Sequence, residues 1–182
     1  GGDRTKIELP EIQLNALKAI NKTGTPVVFV LLAGSAISFN GLEQELDAIL
    51  AAWYPGQRGG DAVADVLFGN YNPAGRLPVT FYSSMNELAD FEDYNMRAGN
   101  GFTYRYYNGD AMYPFGHGIS YTKFKYSDLT VSKTRLNNSD ELFVTINVKN
   151  SGELDGEEVV QLYIKDIEST TCMPHKQLRG FK

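Results

Sequence analysis

Cysteine is nearly missing. Cys172 stands alone in the 182 residues, so no disulfide can close within them, and the redox compartment stays open. Long apolar runs are missing too. The longest, Pro26 to Ala33, falls far short of the roughly 18 residues of a membrane helix and fits a buried strand. Histidine is scarce, with only His117 and His175. Neither has partners at metal-ligand spacing, and a zinc site needs about three or four ligands. Positive charge is in deficit, 17 Lys and Arg against 22 Asp and Glu, for a net charge of −5. That balance argues against nucleic acid or an anionic membrane surface as partner. There is no initiating Met, so the lack of a leader says nothing about export, and the opening Gly1-Gly2-Asp3-Arg4 is expected to be a truncation. What is present is ordinary. Apolar residues make up 42 % of the chain, enough for a proper core in one or two domains.

The first two thirds read as alternating helices and strands. Pro10 to Asn21 carries Ile12, Ala16, Ala19 and Ile20 on one helical face, ended by Gly24 and Pro26. Val27 to Leu32 is continuously apolar, as in a strand covered on both faces, and its setting between helices implies a parallel sheet. Leu42, Leu46, Ile49, Leu50 and Trp53 predict a second helix over 42–53. Asp61 to Phe68 predicts a third, with Val63, Val66 and Leu67 at i, i+3 and i+4 and Gly69 as its stop. Leu77 to Phe81 reads as a strand. Tyr82 to Gly101 has no period, is acidic, and is expected to be a solvated excursion. Asn108-Gly109-Asp110 between aromatic runs predicts a hairpin pairing 102–107 with 111–115.

After about residue 122 the pattern turns to strands alone: 129–131, 142–148, 158–164 and 177–181. Within 142–148, Phe143, Thr145 and Asn147 face one way, and Leu142, Val144, Ile146 and Val148 the other. These strands predict part of a β-sandwich, since a complete module of this kind needs about seven. The expected architecture is therefore α/β: a partial α/β sandwich domain with a mainly parallel sheet over 1–122, and an incomplete β-sandwich over 123–182.

Few residues carry chemistry. Ser35 follows the buried strand, at the carboxyl end where ligands sit in open parallel sheets. It either caps the turn or hydrogen-bonds a ligand. Gly34-Ser35-Ala36 lacks the nucleophile-elbow pattern. Gly56 to Gly60 lacks the Lys-Ser/Thr of a phosphate loop and predicts tight packing of helix on strand. Asp3 and Arg4 either form a plain ion pair or orient a neighbouring loop. The dense aromatics of Phe102 to Tyr126 either stack on sugars or pack as a seam between the two parts, and large rings favour the seam.

Three ordered motifs carry a family resemblance: Trp53-Tyr54-Pro55-Gly56-Gln57 running on to Asn72-Pro73-Ala74-Gly75-Arg76-Leu77-Pro78; Thr103-Tyr104-Arg105-Tyr106-Tyr107 with Tyr113-Pro114-Phe115-Gly116; and Gly156-Glu157-Glu158-Val159-Val160-Gln161-Leu162-Tyr163-Ile164-Lys165 with Leu178-Arg179-Gly180-Phe181-Lys182. Together they resemble the C-terminal region of glycoside hydrolase family 3, the β-glucosidase and β-xylosidase family, over essentially the whole chain. The last motif resembles the fibronectin type III-like module that ends many of these enzymes. Gly34-Ser35-Ala36-Ile37 and Gly2-Asp3-Arg4-Thr5 look more like β-xylosidase-type members. Phe102 stands where the family usually has Arg, so no role for that Arg is carried over.

The resemblance implies a retaining, exo-acting β-glycosidase that removes terminal glucose or xylose from a β-linked oligosaccharide. It implies no cofactor, since carboxyls and water suffice, and a secreted or periplasmic protein. It places the nucleophilic Asp on an N-terminal barrel and the acid/base Glu on a loop upstream of Gly1, so no catalytic residue is assigned within this chain, and a fragment alone is expected to be inactive. Asp3, Arg4 and Ser35 are the candidates nearest the site. The alternative is a non-catalytic carbohydrate-binding or scaffold module.

Overall fold

A computed structural model describes residues 5–182. Helix α1 spans Glu11–Asn21, with Pro10 as the residue before its first turn and Leu14 and Leu17 buried. Its Pro-led start and the acid in its first turn suit a helix N-terminus. The chain reverses through residues 22–27 into strand β1, Val28–Leu31. Strand β2, Ala48–Ala51, lies beside it in parallel, with Val28 opposite Ala48 and Leu31 opposite Ala51.

Strand β2 corrects the helix expected over 42–53. Only Leu42–Gln44 coils, as one 3-10 turn. The apolar spacing of 42–53 fits a helix, but Ala48 to Ala51 find their hydrogen-bond partners on β1, and that tertiary ladder outweighs local period. The expected cover on both faces of β1 is also corrected: Phe29 and Leu31 turn inward, whereas Val28 and Leu32 remain 49 % and 61 % exposed.

Leu9, Leu14, Leu17, Leu31, Ile37, Phe39, Leu42 and Phe81 form the core. Phe39 is wholly enclosed and meets Phe29 edge to face at 5.4 Å. Ser38 is buried beside it, and its hydroxyl donates to the Ser83 carbonyl. Helix α2 spans Gly59–Leu67, close to the expected bounds. Gly59 sits against its own entry turn: a Cβ there would come within 2.5 Å of the Pro55 ring.

The strand expected at 77–81 is reduced to one antiparallel bridge, Phe81 with Tyr113. The rest bends at residues 78 and 79, and Leu77 N donates to the His117 carbonyl at 2.8 Å. Pro78 has no N–H to offer a ladder. The hairpin around Asn108-Gly109 is replaced as well. Thr103–Tyr106 makes a single helical turn, α3, and Asn108 N donates back to the Asn100 carbonyl at 2.8 Å. Residues 90–97 of the acidic excursion are exposed, but its start is pinned where the Tyr107 hydroxyl donates to Glu87.

Beyond this the chain holds only strands: β3 Phe124–Val131, β4 Val144–Asn150, β5 Gln161–Ile164 and β6 Gln177–Phe181. They pair antiparallel as β3–β4 and β5–β6. On β4, Val144 and Ile146 are half-buried while Thr145 and Asn147 are exposed, as the alternation predicts.

Candidate functional site: a groove at the carboxyl end of the parallel pair

A concavity of about 900 Å³ runs along β1 and past its carboxyl end; Glu8, Gln13, Leu17, Leu32, Ser35 and Tyr54 are among its lining residues. Helix α1 forms one wall and β1 with the following turn the other. Ser38 N donates to the Ile7 carbonyl at 2.9 Å and Leu9 N to the Ser38 carbonyl at 3.1 Å, which ties the entry of α1 to the end of β1 and closes one end of the groove. Ser35 is exposed in this groove. Tyr54 lies over Gly34 so closely that a Cβ there would meet the ring at 2.6 Å. That contact is with the outer end of an exposed ring, which can swing aside, and Tyr54, which sequence reasoning passed over, lines the groove beside Gly34. Its signal was the Gly-Ser pair itself, since Gly marks a close approach. Glu8 is the groove's single acid, and its carboxylate accepts from Met85 N at 3.4 Å. Asp3 and Arg4 lie outside the described residues.

An aromatic path leads from the end of β2 toward the strand-only part. Trp53 meets Phe81 edge to face at 6.2 Å, Phe81 meets Tyr113 at 6.3 Å, and Tyr113 stacks on His117 at 5.1 Å. Burial raises the Tyr113 hydroxyl's pKa, with Glu43 adding to the shift. His117 is lowered, first by the cover on its stacked face and then by the Arg76 guanidinium. It has no metal partners: no cluster of three or more His, Cys, Asp or Glu suited to a metal occurs among the described residues.

Arg76 continues the path across the boundary. Its guanidinium donates to Glu158 at 2.5 Å, with both side chains largely covered. The other oxygen of Glu158 accepts from the Tyr126 hydroxyl at 2.6 Å, and burial with that bond pushes Tyr126 up to about 12. Tyr104 stacks on Phe115 at 4.3 Å and meets Tyr163 edge-on at 5.9 Å. Leu178 N donates to the Tyr104 hydroxyl oxygen at 3.1 Å. Asn72 joins three segments, donating to the Asp155 carbonyl at 2.9 Å and accepting from Ser120 Oγ and Tyr121 N. Tyr104, Tyr113 and Phe115 are therefore spent on packing, as the seam reading expects. Arg76, Glu158 and Asn72 were missed because their partners lie dozens of residues away.

The geometry defines a class: an α/β unit built on a short parallel pair, bearing a groove at the carboxyl ends and fastened by an aromatic and ionic seam to antiparallel β pairs. The model of the glycosyl hydrolase family 3 C-terminal domain matches residues 1–121, and the chain belongs to that family. It is 48 % identical to a xylan 1,4-beta-xylosidase of Xylanibacter ruminicola, over 100 % of this chain and 20 % of that protein. It is 37 % identical to a periplasmic beta-glucosidase of Salmonella typhimurium, over 98 % of this chain and 25 % of that protein. Among solved structures, a β-glucosidase from Erythrobacter marinus superposes with a TM-score of 0.86 at 38 % identity, over 100 % of this chain and 24 % of that one. The chain thus spans about a fifth to a quarter of the length of these relatives.

Proposed function

We propose that the full-length protein is a retaining, exo-acting β-glycosidase that releases terminal glucose or xylose from β-linked oligosaccharides, and that residues 1–182 supply a supporting part of its site. The groove carries this reading. It lies where open α/β sheets bind ligands, yet its lining holds one acid, Glu8. Retaining hydrolysis needs two carboxyl groups about 5–5.5 Å apart. The nucleophilic Asp and the acid/base Glu are then contributed by an N-terminal barrel and by a loop upstream of Gly1. Ser35 and Tyr54 face the sugar or the barrel, and Asp3 and Arg4 orient the acid/base loop.

On the same reading the chain divides near residue 122, and 123–182 is an incomplete fibronectin type III-like module. The family match ending at residue 121 supports that boundary. The rival role as a carbohydrate-binding module would need its rings free, and Tyr104, Tyr113 and Phe115 are stacked on one another and on neighbours.

Residues 1–182 alone should not turn over nitrophenyl β-xyloside or β-glucoside above a buffer blank, whereas the full-length protein should hydrolyse at least one. Turnover by 1–182 that disappears on mutating one of its own carboxylates would overturn the proposal.

A further inference from the structure

We propose that Asn108 is a self-modification site: it is the Asn-Gly pair at which the folded protein deamidates, and the carboxylate formed there releases the loop 100–108 from its own closure.

The chemistry is intrinsic to Asn followed by Gly. The glycine nitrogen attacks the side-chain carbonyl carbon of the asparagine. A C–N bond forms, the N–H proton is lost, and the side-chain nitrogen departs as ammonia. The cyclic imide then adds water at either of its carbonyls, leaving aspartate or isoaspartate with one new negative charge. Water is the co-reactant, and nothing is oxidised or reduced. Glycine suits the step because it has no side chain to hinder the approach and its backbone turns freely. The fold must leave the glycine N–H free and let the asparagine side chain swing onto it.

Three Asn-Gly pairs occur in the sequence, at 40–41, 100–101 and 108–109, and the fold treats them differently. Asn40 and Gly41, with φ of 53° and 87°, are the central pair of a tight turn that Leu42 N closes by donating to the Phe39 carbonyl at 3.1 Å. Left-handed backbone at both positions is what Asn-Gly supplies in such turns. Phe39 and Leu42 on either side are 0 % and 2 % exposed, so turning Asn40 onto the Gly41 nitrogen would disturb the core. At the second pair the nucleophile is occupied: Gly101 is buried against Tyr106 and its N donates to the Ala98 carbonyl at 2.8 Å. The third pair has neither protection. Gly109 N donates to no described residue, and Asn108 is exposed. Asn108 is held by its own N, which donates to the Asn100 carbonyl at 2.8 Å, and by Nδ2, which donates to the carbonyls of Asn100 at 3.3 Å and Tyr106 at 3.1 Å. Such solvent-facing bonds open at low cost.

Those same bonds make the conversion consequential. The Asn108 amide is a donor toward two carbonyls, whereas a carboxylate only accepts. After deamidation an anion faces the Asn100 and Tyr106 oxygens, and the closure is lost. The new charge also joins Glu87 and Asp110, which already act on the neighbouring Tyr107 hydroxyl.

The test uses the full-length protein, aged in mildly alkaline buffer. Trypsin separates the three pairs, because Lys22, Arg58, Arg97, Arg105 and Lys123 put each on its own peptide. Mass spectrometry of those peptides should show Asn108 converting at least about tenfold faster than Asn40 or Asn100 in the folded protein. In urea the three rates should converge, since each Asn is followed by Gly. Faster conversion at Asn40 or Asn100, equal rates in the folded protein, no conversion at Asn108, or the same disparity in urea would each overturn the proposal. Asn108→Asp carries the product without ageing. Brief trypsin treatment should cut this variant after Arg105 at least about fivefold faster than the parent, and equal resistance would overturn the proposed release.

Discussion

The part of the chain up to residue 122 and the strand-only part after it are built on different terms. Every buried hydrophobic residue among those described lies between Leu9 and Phe81. Strands β3 and β4 form a longer ladder than β1 and β2, and β5 with β6 one of the same length, yet Leu129 and Phe143, the latter just before β4, stay about two-thirds exposed. Regular hydrogen bonding and burial are thus separable. A ladder satisfies backbone groups pairwise, but the apolar transfer that stabilises a sheet needs a second layer. The first part has such a layer in α1 and the residues around Phe39. The second is held to the first by its seam.

The comparison breaks most visibly if a buried ring and an exposed one cost the same. In residues 1–182, Phe39→Ala should lose about 3–5 kcal/mol, the cost of a fully buried Phe. Phe143→Ala should cost less than about 0.5 kcal/mol, as an exposed site does. Urea unfolding measures both, and a similar loss at Phe143 would mean that β4 is covered. Arg76→Met comes next, at about 3 kcal/mol, the low end for stranding one partner of a covered ion pair. Hydrogen exchange should then speed up in β5 and β6 while Phe29 and Leu31 keep their protection. If both halves loosen together, the seam belongs to the core and the two parts are one.

Phe115→Ala should cost about 2 kcal/mol, roughly half the value for a fully buried ring, because Phe115 is half-covered and stacks on Tyr104. Thermal melts check this, and an unchanged Tm would return the ring to a sugar-binding role.

The smallest effect is that of His117. Its pKa is lowered in the folded state, so the unfolded chain binds the proton more readily. The stability it contributes is present above about pH 6.5 and is lost as pH falls through the lowered value. His117→Gln should flatten the pH dependence of stability below pH 6.5, and an unchanged slope would place the imidazole outside the seam.

Sequence patterns read some elements well and others poorly, for one physical reason. Helices α1 and α2 and strand β6 were legible in extent from their end signals and apolar content, but the face of α1 was not: Ile12, Ala16, Ala19 and Ile20 are exposed, and Leu14 and Leu17 are the residues the core covers. Leu42, Leu46, Ile49 and Trp53 have helical spacing, but Ala48 to Ala51 lie within reach of β1, and the ladder decided them. Asn108-Gly109 is a strong turn signal, yet Tyr113 pairs with Phe81, from well before the turn. Of the candidate site, Ser35 was legible from its place after an apolar strand. For Tyr54 the sequence offered only the Gly-Ser pair, which marks a close approach without naming the residue that makes it.

The sequence by itself determined the family, through three ordered motifs whose glycines, prolines and aromatics are set by local backbone needs. It also determined the change from helix-and-strand to strand alone near residue 122, because side-chain period is a local property. Tertiary structure alone decided that Arg76 meets Glu158, that Asn72 ties three segments together, and that β1 lines a groove. Those outcomes depend on which distant groups a folded backbone brings within a few ångströms, and neither charge nor period at a single position specifies its partner.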